Sequence, residues 1–268
     1  GCSKSDKYKY ELTICAIFKD EALWLKEWVV YHHEILGVDH FFLYDNDSSD
    51  DFMIVLKPFI EKGIVEIINW TAKDPAHLHP NAEGDHMQSQ VGAYNHCLKK
   101  ALGIAKWVAF IDVDEFIVPV NGASSFRTYI RGLEKRRKGS IKLSWRMFGT
   151  SDVWNLKSGE LLTEKLTLRA KSDHPYNNWF KCLHRPEAVP YTEIHDAPKL
   201  APGYRKKHCK PDEFRIHHYW ARTGKACLEK RGMRKPDPFL DSLDVEEDRT
   251  VLQYLPRFKK AMAIWQNK

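Results

Sequence analysis

The stretch from Trp107 to Val120, WVAFIDVDEFIVPV, places three acidic residues inside an apolar run. Asp112, Asp114 and Glu115 are flanked on both sides by valine, isoleucine and phenylalanine, a pattern that is typical of a buried parallel strand. A carboxylate that leaves water without gaining a partner is strongly destabilising or takes up a proton. The run therefore predicts a strand whose end carries a bound cation or a strong set of hydrogen-bond donors.

The acid-x-acid spacing favours a divalent cation. Carboxylate oxygens suit Mg²⁺ or Mn²⁺, which keep part of their water and bridge to substrate phosphates. Because side chains alternate along a strand, we expect Asp112 and Asp114 to share a ligand and Glu115 to face the other side. His218 is a candidate further ligand, and the alternative for it is a packed core histidine. The candidate cations for a diphosphate are Lys19, Lys181 and Arg185.

Strand and helix patterns alternate in the first half of the chain. Short apolar runs at 12–18, 41–44 and 64–70 are predicted strands, and the helical segments between them end at Gly37 and Gly63. This alternation predicts right-handed crossovers and a mainly parallel α/β sheet flanked by helices. The second half is predicted to be α+β, with strands at 140–148, 161–169, 179–184 and 215–220.

Polar residues follow the predicted strands at their carboxyl ends, where ligands bind on sheets of this class. These residues are Lys19, Asp20 and Glu21 after the first strand and Asp45 and Asn46 after the second. We expect them to line one crevice together with the acidic triplet; helix capping and turn formation are the alternative. Asn95 adjoins the buried stripe of the predicted helix 87–102, so its amide must bind either backbone or ligand.

The composition limits the class of protein. With 268 residues, 43% of them apolar, the chain can form a full core, and we predict one domain. The 42 basic and 36 acidic residues leave a net charge of +6, which suits a polyanionic ligand without requiring nucleic acid. No apolar run approaches the roughly 18 residues of a membrane helix. Because the chain opens with Gly rather than Met, membrane association through an upstream segment stays open. The six scattered cysteines predict reduced thiols.

Six blocks of sequence occur in a fixed order along the chain. They are KDEALWLKEW (19–28), HFFLYDNDSSDD (40–51), AYNHCLKKA (93–101), WVAFIDVDEF (107–116), SWRMFGTSD (144–152) and IHHYW (216–220). In this order they resemble glycosyltransferase family 92 and its bacterial relatives. The resemblance implies a single GT-A domain, with a nucleotide-sugar-binding half over 1–120 and an α+β acceptor-side half over 121–268. It also implies metal-dependent, inverting transfer of a hexose to a glycan hydroxyl, with UDP-galactose as the donor known among eukaryotic members.

The resemblance also assigns roles to single residues. The DxD motif falls on Asp112 and Asp114, which would hold Mn²⁺ or Mg²⁺ against the donor diphosphate. The polar residues after the first two strands line the nucleoside end of the crevice. His218 stands in the HY element of the family, with His217 in place of the usual Asn, and the resemblance implies that it binds the metal. His195 matches a downstream family histidine, to which no role is assigned.

An inverting transfer needs a base near the acceptor hydroxyl. Asp152 is the candidate base because it follows the SWRMFG strand, and Glu115 and Asp173 are alternatives. Relatives often have Ser-Gly after WRMFG, so Thr150-Ser151-Asp152 indicates a different acceptor side. We expect a location in the cytoplasm or on the cytoplasmic membrane face for a bacterial protein, and in the Golgi lumen for a eukaryotic one.

Two other functions stay open. A sugar-phosphate nucleotidyltransferase also binds a diphosphate at an acidic strand end, but it usually carries a Gly-rich loop where this chain has Lys-Asp-Glu. A polyanion- or nucleic-acid-binding module would use the basic C-terminal region. The acidic crevice and the lack of RNP, KH or zinc-finger patterns argue against that module, so nucleic acid is not an expected partner.

Overall fold

The computed structural model describes residues 7–80, 85–266 and 268. The strands are β1 (Tyr10–Phe18), β2 (His40–Asp45), β3 (Val65–Asn69), β4 (Ala105–Phe110), β5 (Glu115–Pro119), β6 (Lys138–Met147), β7 (Leu168–Arg169), β8 (Phe180–His184), β9 (Arg205–His208), β10 (Phe214–His218) and β11 (Glu246–Glu247). The α-helices are α1 (Ala22–Val30), α2 (Phe52–Glu61), α3 (Asp85–Ala101), α4 (Ser124–Lys135), α5 (Leu162–Lys165), α6 (Gly224–Arg231), α7 (Pro238–Leu243) and α8 (Leu255–Gln266). A π-helical turn, Tyr31–Leu36, continues α1.

One large sheet organises the described chain, with strand order β3-β2-β1-β4-β8-β6-β10-β5 and with β9 beside β6. Strands β1 to β4 are parallel neighbours, and β10 is parallel to β6. Strand β8 is antiparallel to both β4 and β6, which brings β4 and β6 into the same direction. The carboxyl ends of β1, β2, β3, β4, β6 and β10 therefore meet at one edge of the sheet. This confirms the predicted mainly parallel sheet.

Helices cover both faces of the sheet because its central strands are apolar on both sides. On β1, Leu12 and Ile14 pack into a core shared with α1, α2, α4 and α8. Cys15 lies on the opposite face of β1, in a smaller core with Tyr94 and Leu98 of α3. The strongly apolar first strand thus determines a three-layer arrangement, as the strand and helix alternation predicts.

The predicted strand 107–120 is in fact two strands. Strand β4 pairs with β1, whereas β5 pairs with β10 in antiparallel orientation, so the chain changes neighbours between them. Residues 111–114 make the turn, closed by a hydrogen bond from the Glu115 N–H to the Asp112 carbonyl (3.0 Å). The run looks continuous in sequence because both strands are buried.

The prediction of a strand at 161–169 is also largely wrong. Residues Leu162–Lys165 form α5, and only the two residues of β7 are extended. The Glu27 carboxylate of α1 accepts hydrogen bonds from the N–H groups of Leu162 (2.6 Å) and Thr163 (3.1 Å). A distant side chain thus caps this helix, so local sequence alone did not reveal it.

The described residues also bear on membrane-spanning helices and on the state of the cysteines. None of their helices has the length and apolar character needed to cross a membrane. The five described cysteines are buried free thiols, as predicted; they are Cys15, Cys97, Cys182, Cys209 and Cys227. Cys2 lies outside the described residues.

Candidate active site

The acidic turn, defined as Asp112 to Glu115, lies at the carboxyl edge of the sheet. Asp112, Asp114 and Glu115 each offer one carboxylate oxygen, and these oxygens all lie within 4.8 Å of one another. The expectation that Glu115 points away from the two aspartates fails because a turn, unlike a strand, does not alternate its side chains. All three carboxylates can therefore act on one ligand.

Lys181, on β8, holds the acidic turn together. Its ammonium lies 3.2 Å from Asp112 Oδ2 and 3.0 Å from Glu115 Oε1, and its side chain is only 1% exposed. The same Glu115 oxygen accepts the Asp112 N–H at 2.7 Å. Burial raises the pKa of Glu115 to about 7, although Lys181 acts in the opposite direction. Burial acts to lower the pKa of Lys181, but the neighbouring acids hold it well above its ordinary value.

His218, the last residue of β10, is brought to the acidic turn by the pairing of β10 with β5. Its Nε2 lies 3.4 Å from Asp114 Oδ1. Burial acts to lower the pKa of His218, but the Asp114 carboxylate outweighs it and the pKa is raised. Burial acts to raise the pKa of Asp114, yet His218, Arg222 and Lys230 together lower it.

The acidic turn has the donors that a hard divalent cation requires. Asp114 Oδ1, Glu115 Oε2 and His218 Nδ1 are buried without a hydrogen-bond partner in the described part of the chain. Leaving one such group unsatisfied costs about 1–3 kcal/mol. The clustered carboxylate oxygens of the acidic turn, with the imidazole of His218 beside Asp114, are a donor set that fits Mn²⁺ or Mg²⁺.

Cations that sequence analysis left unassigned also reach this site. Arg222 precedes α6, and Lys230 lies in the last turn of this helix. Both bind the buried Glu21 carboxylate, with Lys230 Nζ at 3.1 Å from Glu21 Oε1. The positive charges of both residues also lower the pKa of Asp114. Sequence analysis included these residues only in the basic C-terminal region, because their position at the site depends on how the chain after β10 places α6 near the end of β1.

The polar residues of the first two strand ends are brought together as predicted by the parallel sheet. Phe18 and Asp45 are partners in the β1–β2 register, which places Lys19, Asp20, Asp45 and Asn46 side by side at the carboxyl edge. Asp20 and Asp45 accept backbone N–H groups of the 45–49 turn, and Asn46 accepts the N–H of residue 72 at 3.0 Å. Turn formation and a shared position at the carboxyl edge of the sheet thus coexist here.

Two predicted binding residues do not serve the acidic turn: one lies at the other edge of the sheet, and the other is bonded to backbone groups. Arg185 follows the far end of β8, at the opposite edge of the sheet, where it pairs with Glu187. Asn95 is close to Thr192, donating to its carbonyl (2.8 Å) and accepting its N–H (2.9 Å). Its amide also donates to the Val91 carbonyl at 2.8 Å, so backbone takes up its hydrogen-bonding capacity.

Asp152, the candidate base, lies in the loop after β6. Its carboxylate is 73% exposed and bonds to Lys235 Nζ at 3.0 Å; Lys235 in turn bonds to the buried Asp244 at 2.6 Å. Asp152 and Lys235, together with Trp154, border a cavity of about 320 Å³ beside α6 and α7. The observed polar contacts of Asp152 run to this cavity wall rather than to the acidic turn.

The fold and the site define an α/β protein with a candidate divalent-cation centre at the carboxyl edge of its sheet. A family model described as Glycosyltransferase family 92 matches residues 9–254. The chain belongs to this family. Membership favours glycosyl transfer over the nucleotidyltransferase and the binding module that the sequence left open.

Individual relatives agree with the family match. A glycosyltransferase family 92 protein of Ricinus communis is 28% identical over 229 residues, which are 82% of this chain and 37% of that protein. The β-1,4-galactosyltransferase galt-1 of Caenorhabditis elegans is 24% identical over 238 residues, 86% of this chain and 52% of that protein. This chain therefore spans about a third to a half of these relatives. Among solved structures, S. aureus TarS in complex with UDP has a TM-score of 0.40 and 11% identity, covering 66% of this chain and 47% of its own.

Proposed function

We propose that this chain is a metal-dependent, inverting hexosyltransferase domain that moves a hexose from a UDP-linked donor to a glycan hydroxyl. The observation that carries the proposal is the cluster of three carboxylates in the acidic turn beside the buried His218, in a chain of glycosyltransferase family 92. The names of relatives support galactose as the hexose, since two of them are a β-1,4-galactosyltransferase and a galactan β-1,4-galactosyltransferase.

The donor would lie along the carboxyl edge of the sheet. Asp112, Asp114 and His218 would hold Mn²⁺ or Mg²⁺, which when bound neutralises the charge that develops on the departing diphosphate. Lys181 and Arg222 add fixed positive charge on either side of that position. The polar residues that follow β1 and β2 would receive the nucleoside end, because they lie on the β3 side of the acidic turn.

The acceptor hydroxyl would approach from the side of β8, β6 and β10. Its oxygen attacks the anomeric carbon opposite the bond to the diphosphate, and a base removes its proton. Glu115 is fully buried and its Oε1 is bonded to Lys181 and to the Asp112 N–H, so we assign it the positioning of the acidic turn.

Melting temperature against nucleotides tests the donor class. A ligand that binds only the native state raises the melting temperature. We expect UDP and UDP-galactose to raise it with Mn²⁺ and to have little effect in EDTA. In Asp114→Asn the Mn²⁺-dependent shift should disappear while the protein stays folded.

Asp212→Asn is the matched control, because Asp212 is an exposed aspartate on the turn that precedes β10. It should keep the full Mn²⁺-dependent shift. A shift that persists in Asp114→Asn would exclude this residue as a ligand. A folded protein that responds to no nucleotide would refute the proposed donor.

A further inference from the structure

Three aromatic side chains form a wall beside the acidic turn. This aromatic wall consists of Trp145 of β6, Trp179 before β8, and His195. The Trp145 ring lies 4.3 Å from the ring of His218 and 5.6 Å from that of His195, and the Trp179 and His195 rings are 4.7 Å apart. The backbone N–H of Trp145 donates to the Trp179 carbonyl at 2.9 Å, which holds the two tryptophans in register. The wall thus continues the site from the candidate metal ligand His218 toward the acceptor side.

The hydrogen bonding of His195 determines which nitrogen carries its proton. Nδ1 lies 2.9 Å from the Phe180 carbonyl oxygen. A carbonyl can only accept, so Nδ1 carries the hydrogen and Nε2 of the neutral ring keeps its lone pair. Within the described residues, no hydrogen bond to Nε2 is observed. The imidazole therefore presents an unused proton acceptor.

The charges around His195 favour its neutral form. Burial lowers the pKa of His195, and the ammonium of Lys181 on β8 acts in the same direction. Asp112 of the acidic turn acts to raise this pKa, and His218 of β10 acts to lower it. The groups facing the imidazole from the packed elements thus leave it able to accept a proton near neutral pH.

We propose that His195 is the catalytic base of the transfer reaction and that its Nε2 accepts the proton of the acceptor hydroxyl. This inference rests on the proposed inverting glycosyl transfer. As the proton moves to Nε2, the acceptor oxygen forms its bond to the anomeric carbon. The bond from that carbon to the diphosphate oxygen breaks, and its electron pair leaves with UDP. The imidazolium then returns its proton to water.

The rest of the aromatic wall fits an acceptor pyranose. Trp179 is 49% exposed, so its indole face is available for stacking against the apolar face of a sugar ring. Trp145 is buried between the rings of His195 and His218, so it fixes the position of His195 relative to the candidate metal ligand. A sugar stacked on Trp179 would present one hydroxyl to Nε2 of the neighbouring His195.

Two of the three bases predicted from sequence, Glu115 and Asp152, meet the geometric requirement less well. Glu115 is fully buried and already bonded to Lys181, so an acceptor hydroxyl has no route to it. Asp152 is exposed, but its observed bond is to Lys235. By contrast, His195 combines a free lone pair with a continuous ring contact to His218 through Trp145.

The test compares His195→Asn with Asp152→Asn in transfer assays. The Asn amide N–H can replace Nδ1–H toward the Phe180 carbonyl, but it has no counterpart of Nε2. We expect kcat to fall about 10²–10⁴-fold, the usual contribution of a general base, while the Mn²⁺-dependent UDP shift in melting temperature is unchanged. Asp152→Asn should retain kcat within a few fold. In His195→Ala, added imidazole should restore part of the lost rate, which a purely structural role would not allow.

The outcomes separate the inference from the proposed function. A wild-type protein that binds no UDP and transfers no sugar refutes both. If the wild type transfers sugar, normal kcat in His195→Asn overturns the inference alone, as does a large loss in Asp152→Asn without one in His195→Asn. Loss of the UDP shift in His195→Asn, with no imidazole rescue of His195→Ala, also overturns it.

Discussion

At the scale of the residue, Lys181 is a buried cation that stabilises the acidic turn. Its ammonium is almost fully buried, contacts Asp112 and Glu115, and lies 3.4 Å from the Tyr94 hydroxyl. A buried charge is tolerated only when it is paired and hydrogen-bonded. Lys181 therefore joins β8 to the acidic turn and keeps two carboxylates close to each other before any metal binds.

Removing this ammonium should be costly. We expect Lys181→Met to lower the free energy of unfolding by about 3–5 kcal/mol, because it leaves the buried Glu115 carboxylate without its partner. Urea unfolding measures this change. The double variant Lys181→Met with Glu115→Gln should recover part of the loss, since one of the buried charges is gone.

Lys225→Met, at an exposed position of α6, is the control and should change stability by no more than about 0.5 kcal/mol. Equal effects of the two single lysine changes would contradict this role of Lys181.

At the scale of the element, α3 depends on a glycine to receive the segment before it. A Cβ at Gly92 would overlap the backbone carbonyl oxygen of His77 and lie 3.5 Å from the Trp70 ring. The Trp70 and His77 rings stack at 4.0 Å, so residues 71–80 lie directly on this helix. Because this segment packs so closely on α3, a residue with a Cβ would be unfavourable at position 92, even one such as Ala that favours helices.

Two glycine-to-alanine changes separate packing from helix propensity. Gly92→Ala should lower stability by about 1–3 kcal/mol because the added methyl group overpacks the contact. Gly132→Ala in α4 should instead raise stability by about 0.5–1 kcal/mol, since nothing lies within 4 Å of its Cβ and Ala is the better helix former. Thermal unfolding of both variants gives the comparison. A gain in stability for Gly92→Ala would show that residues 71–80 do not pack on α3 in solution.

At the scale of the whole molecule, the core contains neutral histidines that link its layers. His32 Nδ1 donates to the Trp28 carbonyl, and its Nε2 accepts the Ile117 N–H at 3.1 Å. His184 lies between the hydroxyls of Ser140 and Thr192, at 2.9 Å from each. Burial lowers the pKa of both histidines to about 3. Folding therefore requires both rings to remain uncharged.

This requirement predicts the acid response of the protein. Below the unfolded-state pKa of about 6.5 the unfolded chain binds protons at His32 and His184 that the native state does not. The free energy of unfolding should thus fall as the pH drops from about 6.5 toward 3, by up to about 1.4 kcal/mol per pH unit for each histidine. Urea titrations between pH 7.5 and 4.5 measure the slope. His184→Asn should reduce this slope by about one proton; an unchanged slope would mean that His184 is protonated in the native state.

The structure departs from the sequence-based predictions where remote contacts decide the outcome. The acidic triplet sits at a break between β4 and β5 because β5 pairs with β10, a partner about a hundred residues away in the chain. The prediction of a strand in place of α5 failed because Glu27 of α1 caps that helix. Neither partner is visible within a local window of sequence.

The sequence by itself determined the α/β alternation, the apolar central strands and the position of the acidic residues at a strand end, because each depends on local periodicity and on the cost of burying a carboxylate. Only the tertiary structure decided which side chains complete the site. It brings His218 and Arg222 to Asp114 and directs Arg185 to the far edge of the sheet. It also leaves Nε2 of His195, beside Trp145, without a hydrogen bond to any residue that the structure describes. The physical reason is that strand direction and order, set by long-range pairing, determine which chain segments share an edge.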